Sequence, residues 1–291
     1  MLPAGITHYR GSRGEDVRAL AAALEKNTTL TSLDVYSNNI GNEGAARLAA
    51  ALEKNSTMTS LDLSENEIGP EGAAKLAAAL EKNSTLTSIN LGYNGIEPEG
   101  MVKLAAALEK NTAVTRLDLR ANKIWAKGAA RLAAALEKNS TLTSVDLYSN
   151  EIGDDGAASL AAALEKNSTL TSINLRFNDI GDKGATRLAA ALEKNTTLTS
   201  LDLRYNNIGD KGAASLAAPL EKNYALEVLN LDCPDSMQEQ VDQLLARNAA
   251  RYRQWRNSVM GWMWASKHLH VRLPRDVALM IGKMIWKTRV V

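Results

Sequence analysis

Cysteine and phenylalanine each occur once, at Cys233 and Phe177, and aromatic residues make up only 4% of the chain. A lone cysteine excludes an intrachain disulfide and a cysteine-based metal cluster. The shortage of rings excludes a core built on large aromatic side chains, although 45% of the residues are hydrophobic. Histidine is also scarce. His8, His268 and His270 lie outside the repeated region, so no Ser/His/Asp or Cys/His set can be assembled within it. His268 and His270 read as solvated or packing residues. No apolar run reaches the roughly 18 residues of a membrane span, and the opening "MLPAGITHYRGSRGEDVR" holds no apolar stretch of signal-peptide length. These absences lead us to expect a protein without catalytic residues, metal, cofactor or membrane contact. A cytoplasmic setting is expected, in the parent cell or, for an exported effector, in a host cell.

Charge is nearly balanced at +1 but unevenly spread. Residues 235–291 hold ten Lys/Arg against four Asp/Glu, which leaves 24 against 29 in residues 1–234. Four of the five tryptophans (Trp255, Trp262, Trp264 and Trp286) also lie in that basic tail. The acidic remainder opposes phosphate binding, so nucleic acid is not an expected partner.

What the chain has in abundance is repetition. Leu30, Met58, Leu86, Val114, Leu142, Leu170 and Leu198 open seven units of 28 residues, and Leu226 opens a partial eighth. The shared text is LTSLDLxxNxIGxxGAxxLAAALEKNST. Its first part alternates apolar and polar residues, as in Leu201-Asp202-Leu203-Arg204, which predicts a short strand with one buried face. A turn-rich bend follows. "GAARLAAALEKN" then sets Ala45, Leu48 and Leu52 on one helical stripe. We expect that helix to end at Asn55 with a left-handed cap, so the N-x-S/T triplets at the helix ends read as caps, not glycan acceptors. One such unit cannot bury its own apolar face, but a stack can. Asn38, Asn66, Asn94, Asn122, Asn150, Asn178 and Asn206 should form a hydrogen-bonding ladder through the bends.

These units resemble the leucine-rich repeat superfamily, and the 28-residue form is similar to its ribonuclease-inhibitor-like class. The resemblance covers about residues 14–232. It implies an α/β solenoid, a horseshoe with a concave parallel sheet and convex helices, closed by a small C-terminal helical cap. The expected organisation is an N-terminal capping helix in 1–29, opened by capping-box spacing from Ser12 to Glu15, repeats in 30–234, and a helical cap in 235–291. Met237, Val241, Leu244, Tyr252 and Trp255 form one stripe of that cap. Pro219 replaces an alanine and should shorten the seventh helix.

Three exposed columns interrupt this uniformity. The first reads Asp34, Asp62, Asn90, Asp118, Asp146, Asn174, Asp202, Asn230. At about 4.8 Å per strand, its carboxylates should repel and raise some pKa values. It fits an acidic groove, paired catalytic carboxylates or a solvated side-chain ladder. The column's uniformity favours the ladder, because catalysis needs one special pair. The next two columns vary: Tyr36, Ser64, Gly92, Arg120, Tyr148, Arg176, Arg204, and Ser37, Glu65, Tyr93, Ala121, Ser149, Phe177, Tyr205. Tyr, Phe and Arg are the types that anchor interfaces.

The fourth unit departs furthest from the consensus. Arg116 replaces a serine, Arg120 and Ala121 replace Tyr-Ser-like pairs, and Trp125 takes a slot that holds Gly41, Gly69, Gly153, Gly181 and Gly209 elsewhere, though Glu97 once. We expect Trp125 at the rim, with Arg116, Arg120, Lys123 and Lys127 steering an acidic patch onto it. The candidate partner-binding residues are therefore Tyr36, Tyr93, Arg116, Asp118, Arg120, Trp125, Asp146, Tyr148, Arg176, Phe177, Arg204 and Tyr205.

The leading expectation is a monomeric, non-enzymatic module gripping a folded protein partner, as an exported bacterial effector or an intracellular signalling protein. Two alternatives stay open. "LPRDVALMIGKMIW" (273–286) looks like the opening helix of an F-box, which would imply a ubiquitin-ligase substrate adaptor. The repeats also look like those of the Ran-activating proteins, although those carry an acidic region where this tail is basic.

Overall fold

The computed structural model describes residues 5–12, 14–233, 237–250 and 254. Tyr252, Trp255, the histidines His268 and His270, and the segment 273–286 lie outside the described residues.

Nine three-residue strands form one parallel sheet in chain order, from edge to edge. They are His8–Arg10 (β1), Ser32–Asp34 (β2), Ser60–Asp62 (β3), Ser88–Asn90 (β4), Arg116–Asp118 (β5), Ser144–Asp146 (β6), Ser172–Asn174 (β7), Ser200–Asp202 (β8) and Val228–Asn230 (β9). Helices alternate with them: Val17–Lys26 (α1), Gly41–Leu52 (α2), Pro70–Leu80 (α3), Glu97–Leu108 (α4), Trp125–Leu136 (α5), Gly153–Leu164 (α6), Asp182–Lys194 (α7) and Asp210–Ala217 (α8). From β2 onward each strand pairs with the equivalent residues of the next, as Leu33 does with Leu61. The sheet is open, and each helix packs on its sequence neighbours.

The composition explains the packing. Within each strand the middle residue points inward, so Leu33, Leu61, Ile89, Leu117, Val145, Ile173 and Leu201 are buried, while the residues on either side face out. The helices answer with Ala45, Leu48, Ala49, Ala51 and Leu52 and their equivalents. Alanine at these contacts lets neighbouring helices approach closely, which matters because strands stack at about 4.8 Å and helices at about 8–10 Å. That mismatch, carried from unit to unit, curves the array with the sheet on the inner side.

The asparagine ladder is present. Asn66 Oδ1 accepts from the backbone N–H of Asn38 (2.8 Å) and Ile40 (3.3 Å), and its Nδ2 donates to the carbonyls of Val35, Leu63 and Ser64. The same pattern recurs at Asn94, Asn122 and Asn150. A second ladder runs at the helix ends and corrects the expectation of a left-handed cap there. Asn55 is not among the residues with positive φ, and α2 stops three residues earlier, at Leu52. The Asn55 side chain is buried. Its Nδ2 donates to Leu24 and Asn27 carbonyls, and its Oδ1 accepts from Thr57 and Met58 N–H groups. An amide so engaged is closed to glycan attachment in the folded chain.

The ends also differ in detail from expectation. The first unit begins with a strand, β1, and pairs His8 with Ser32, a step of 24 residues that drops about one helical turn from the 28-residue repeat. Ser12 and Glu15 do not cap α1. Ser12 donates its N–H and hydroxyl to the Glu15 carboxylate, making a turn. The cap is Asp16, whose side chain accepts from Arg18 and Ala19 N–H groups. Pro219 acts as expected: α8 ends at Ala217 and a 3-10 turn spans Ala218–Glu221, because proline cannot donate the next helical bond. Beyond β9, residues 237–250 are helical, with Val241 and Leu245 buried against the last unit and Met237 and Leu244 partly so.

On the convex side a row of ion pairs links each unit to the one before. Lys54 meets Glu25, Lys82 meets Glu53, Lys110 meets Glu81, Lys138 meets Glu109, Lys166 meets Glu137 and Lys194 meets Glu165, at 2.5–3.0 Å. Each pair is solvent-exposed and contributes little alone. No described helix is long and apolar enough to cross a membrane.

Candidate functional site

The first column has a structural task. The side-chain oxygen of Asp34, Asp62, Asn90, Asp118, Asp146, Asn174 and Asp202 accepts the backbone N–H two residues on, at 2.9–3.1 Å. This is an Asx turn, and it ends each strand. The expected solvated ladder is thus a row of strand stops. Where asparagine takes the place, the acceptor is kept and the amide can relieve a neighbour: Asn90 donates to Asp62 at 2.9 Å and Asn230 to Asp202 at 3.3 Å.

Repulsion survives at one point. Asp146 is held above the usual carboxylate range, mainly by burial and further by the charge of Asp118 on the adjacent strand. Asp202 moves the other way. Burial pushes it up, but hydrogen bonds from Arg204 and Asn230 outweigh that and lower it. A raised folded-state pKa means that Asp146 favours folding when protonated and loses that advantage as pH rises through its folded pKa. Asp146→Asn keeps the acceptor for Tyr148 and removes the charge. Its thermal midpoint should exceed that of the parent by about 1–2 °C at pH 7, and the gap should close below about pH 4. A variant less stable than the parent at pH 7 contradicts this reading.

The third column is strained throughout. Ser37, Glu65, Tyr93, Ala121, Ser149, Phe177 and Tyr205 all have φ between 48° and 58°, the left-handed region that non-glycine residues enter at a cost of about 1 kcal/mol or more. The bend imposes it, because each N–H from Ser37 to Phe177 in this column reaches a carbonyl of the next unit, as Tyr93 does to Arg120 and Phe177 to Arg204, while the Tyr205 N–H donates to the Asp232 carboxylate. Aromatic residues in such a slot are held out from the sheet edge. Tyr36, Tyr93, Phe177 and Tyr205 are each more than 40% exposed.

The structure brings four candidates together. The Tyr148 and Phe177 rings meet edge-on at 5.2 Å, and Phe177 and Tyr205 stack at 4.4 Å with planes 7° apart. The Arg176 guanidinium lies 5.0 Å from the Tyr205 ring centre, 5.8 Å from Tyr148 and 5.9 Å from Phe177. Two other arginines turn inward on their own turns. Arg120 Nε pairs with Asp118 at 2.8 Å, with Asp146 at 3.9 Å beyond it, and Arg204 pairs with Asp202 at 2.5 Å. Arg116 stands exposed on β5. Tyr36 and Tyr93 sit in earlier units, outside the ring cluster.

Trp125 occupies the rim, separate from that cluster. It opens α5 with φ of 53°. The slot is left-handed at Gly41, Glu97, Trp125 and Gly153, whereas Gly69, Gly181 and Gly209 have negative φ. The indole Nε1 donates forward to Glu151 at 3.1 Å, not back toward Glu97 and Pro98. The shallow groove beside it is lined by Glu151, Asp154, Asp155 and Asp179, with Lys183. Its own basic neighbours are engaged elsewhere, Lys127 with Glu99 at 2.9 Å and Arg120 with Asp118. The indole thus faces an acidic wall, while Arg116 stays exposed on β5.

Six units match a family described as Leucine Rich repeat, at residues 26–49, 54–77, 82–105, 138–161, 166–189 and 194–217. The chain is a leucine-rich repeat protein. The 28-residue unit is consistent with the ribonuclease-inhibitor-like class. Among solved structures, the actin-binding site 2 of leiomodin-1 is 28% identical, with a TM-score of 0.48, over 55% of this chain and 94% of that one. The tropomodulin C-terminal domain of Caenorhabditis elegans is 17% identical, with a TM-score of 0.48, over 55% and 98%. Comparison with curated proteins returns no match.

The matched spans skip the fourth leucine-rich repeat, the one that carries Arg116, Arg120 and Trp125. Two residues in the array escaped the sequence reading. Asn174 leaves Arg176 without the carboxylate that Arg120 and Arg204 have. Its signal was the same column read along the strand, since residues two apart share a face. Asn248 continues the helix-end ladder, with Nδ2 donating to the Leu220 and Asn223 carbonyls. The resemblance of "LARN" (245–248) to "LEKN" (220–223) was its signal.

Proposed function

We propose that this leucine-rich repeat protein is a non-enzymatic interaction module that holds a folded protein partner against its sheet face and rim. One observation carries the reading. The scaffold repeats almost letter for letter, while the residues that vary on the inner face include exposed Tyr36, Tyr93, Phe177 and Tyr205 together with Arg120, Arg176 and Arg204. These side-chain types dominate interface energetics.

Affinity capture from lysate of the parent cell tests it. A partner retained by the parent chain should be lost with Tyr148→Ala/Phe177→Ala/Tyr205→Ala and kept with a convex variant such as Lys110→Ala. Capture that ignores the inner-face variant, or depends on the convex one, contradicts the proposal. For Trp125 the expected pair of results is sharper. Trp125→Ala should weaken the captured complex by roughly 2 kcal/mol. Trp125→Gly should raise the thermal midpoint by about 2–3 °C, because glycine relieves the left-handed backbone. A lowered midpoint for Trp125→Gly would make Trp125 a packing residue.

A further inference from the structure

Arg176 differs from the two arginines that share its column. In Arg120 the Nε–H donates to both oxygens of Asp118, at 3.0 and 2.8 Å. In Arg204 the Nε–H donates to Asp202 Oδ1 at 3.0 Å and Nη2 to Oδ2 at 2.5 Å. Each guanidinium thus receives a carboxylate side-on from the residue two positions back. At Arg176 that residue is Asn174, whose oxygen accepts the Arg176 backbone N–H at 3.0 Å and which carries no charge. Arg176 forms no ion pair among the described residues, and its buried Nε has no hydrogen-bond partner.

The surrounding rings offset part of this. Three aromatic faces within 6 Å stabilise a cation, but they leave a buried N–H unsatisfied, which costs roughly 1–3 kcal/mol. The group that satisfies the same atom in both sibling positions is a carboxylate. We propose that Arg176, cradled by Tyr148, Phe177 and Tyr205, receives an Asp or Glu side chain of the protein partner. This rests on the inner-face reading above and names the chemistry of what that face takes.

The neighbourhood restricts the occupant further. Asp146 lies on the strand to one side of Asn174, and on the other side Asp202 is already paired with Arg204, so Arg176 is a single point of unpaired positive charge between them. A polyanion such as a nucleic-acid backbone would extend past this single charge and meet the Asp146 carboxylate one strand away. An isolated carboxylate would not. The stacked, exposed rings of Phe177 and Tyr205 offer a flat apolar platform beside it, which suits an aromatic or aliphatic residue flanking the acid. In the free chain the Nε–H is covered. Tyr205, 53% exposed, is the most exposed of the three rings and the one nearest the guanidinium, at 5.0 Å.

A random dodecapeptide display library, selected on the full chain, provides the probe. Selected peptides should carry Asp or Glu beside an aromatic or aliphatic residue. Changing that acid to its amide should weaken binding about tenfold or more. Arg176→Gln should do the same, and the two changes together should cost no more than either alone. The decisive variant is Asn174→Asp. It supplies the internal carboxylate found at Asp118 and Asp202, fits a column that holds aspartate in five other units, and should weaken the peptide equally. Peptides lost with Phe177→Ala but within about twofold of the parent with Asn174→Asp would overturn the carboxylate proposal and leave the inner-face reading standing. No enrichment, or peptides indifferent to both variants, would count against both. Oligo(dT) binding that depends on Arg176 would overturn it in favour of nucleic acid.

Discussion

Asn150→Ala should lower the stability of the array by about 4 kcal/mol or more, the largest loss expected from any single substitution in it. The side chain is fully buried and ties its own unit to the one before. Its Oδ1 accepts the N–H groups of Asn122 and Ile124, at 3.0 and 3.3 Å. Its Nδ2 donates to the carbonyls of Leu119, Leu147 and Tyr148, at 2.9, 3.0 and 3.2 Å. Alanine leaves three of these backbone groups inside the bend with no partner of the same reach, the Tyr148 carbonyl keeping the Ala121 N–H and the Leu147 carbonyl the Asn178 amide, and each unsatisfied group costs roughly 1–3 kcal/mol before relaxation. The site lies mid-array, where stability is a sum of unit and neighbour terms. The denaturation curve should therefore broaden or split as the two halves uncouple. Asn207→Ala, at an exposed asparagine of a later bend, is the control and should change stability by less than about 0.5 kcal/mol. Equal effects from the two variants in urea unfolding would show that the ladder adds nothing special.

Removing residues 234–291 should lower the thermal midpoint by about 10 °C and produce soluble oligomers. The helical stretch 237–250 closes the last unit in two ways. Val241 and Leu245 cover its apolar edge, and Asn248 and Arg247 donate to the Leu220, Asn223 and Glu221 carbonyls. Without them the final helical turn presents unpaired carbonyls and apolar surface together, beside the edge strand β9, the combination that recruits another chain. Val241→Asp in the full chain separates this from loss of the basic tail, since it places a charge in the buried seam and leaves the tail's composition otherwise unchanged. A truncated chain that stays monomeric with its midpoint intact would mean that the repeats need no closure at this end.

Much of this was readable in the letters. A 28-residue period with two apolar patterns per unit specified strand, bend and helix, and the buried asparagine of each bend followed from its constancy within one sequence. Backbone sign was not readable. Ser37, Glu65, Tyr93 and Phe177 share no residue type that favours the left-handed region, so only the hydrogen bond from each N–H to the next unit reveals it. Asn55 misled for a related reason. Asparagine tolerates positive φ, but here it acts through its side chain, and the sequence does not distinguish the two uses. The uncompensated charge at Arg176 was within reach. Reading columns down the sheet hid it, whereas reading Asn174 and Arg176 along one strand would have exposed it.

The Lys–Glu pairs and the long-range bonds of both asparagine ladders join residues 25 to 31 positions apart, between adjacent units. Near-identical coding units of this kind recombine out of register, and the geometry determines which products survive. Loss of residues 58–85 brings Thr57 onto Leu86, and every broken contact finds its equivalent: Glu53 meets Lys110 in place of Lys82, and Asn94 takes the role of Asn66. A deletion one residue longer or shorter breaks all of them at once. Array length can therefore drift in whole units on the N-terminal side of Arg116 while the surface from Arg116 to Tyr205 stays intact, shifting the first unit relative to that surface by about 4.8 Å at the sheet for each unit gained or lost.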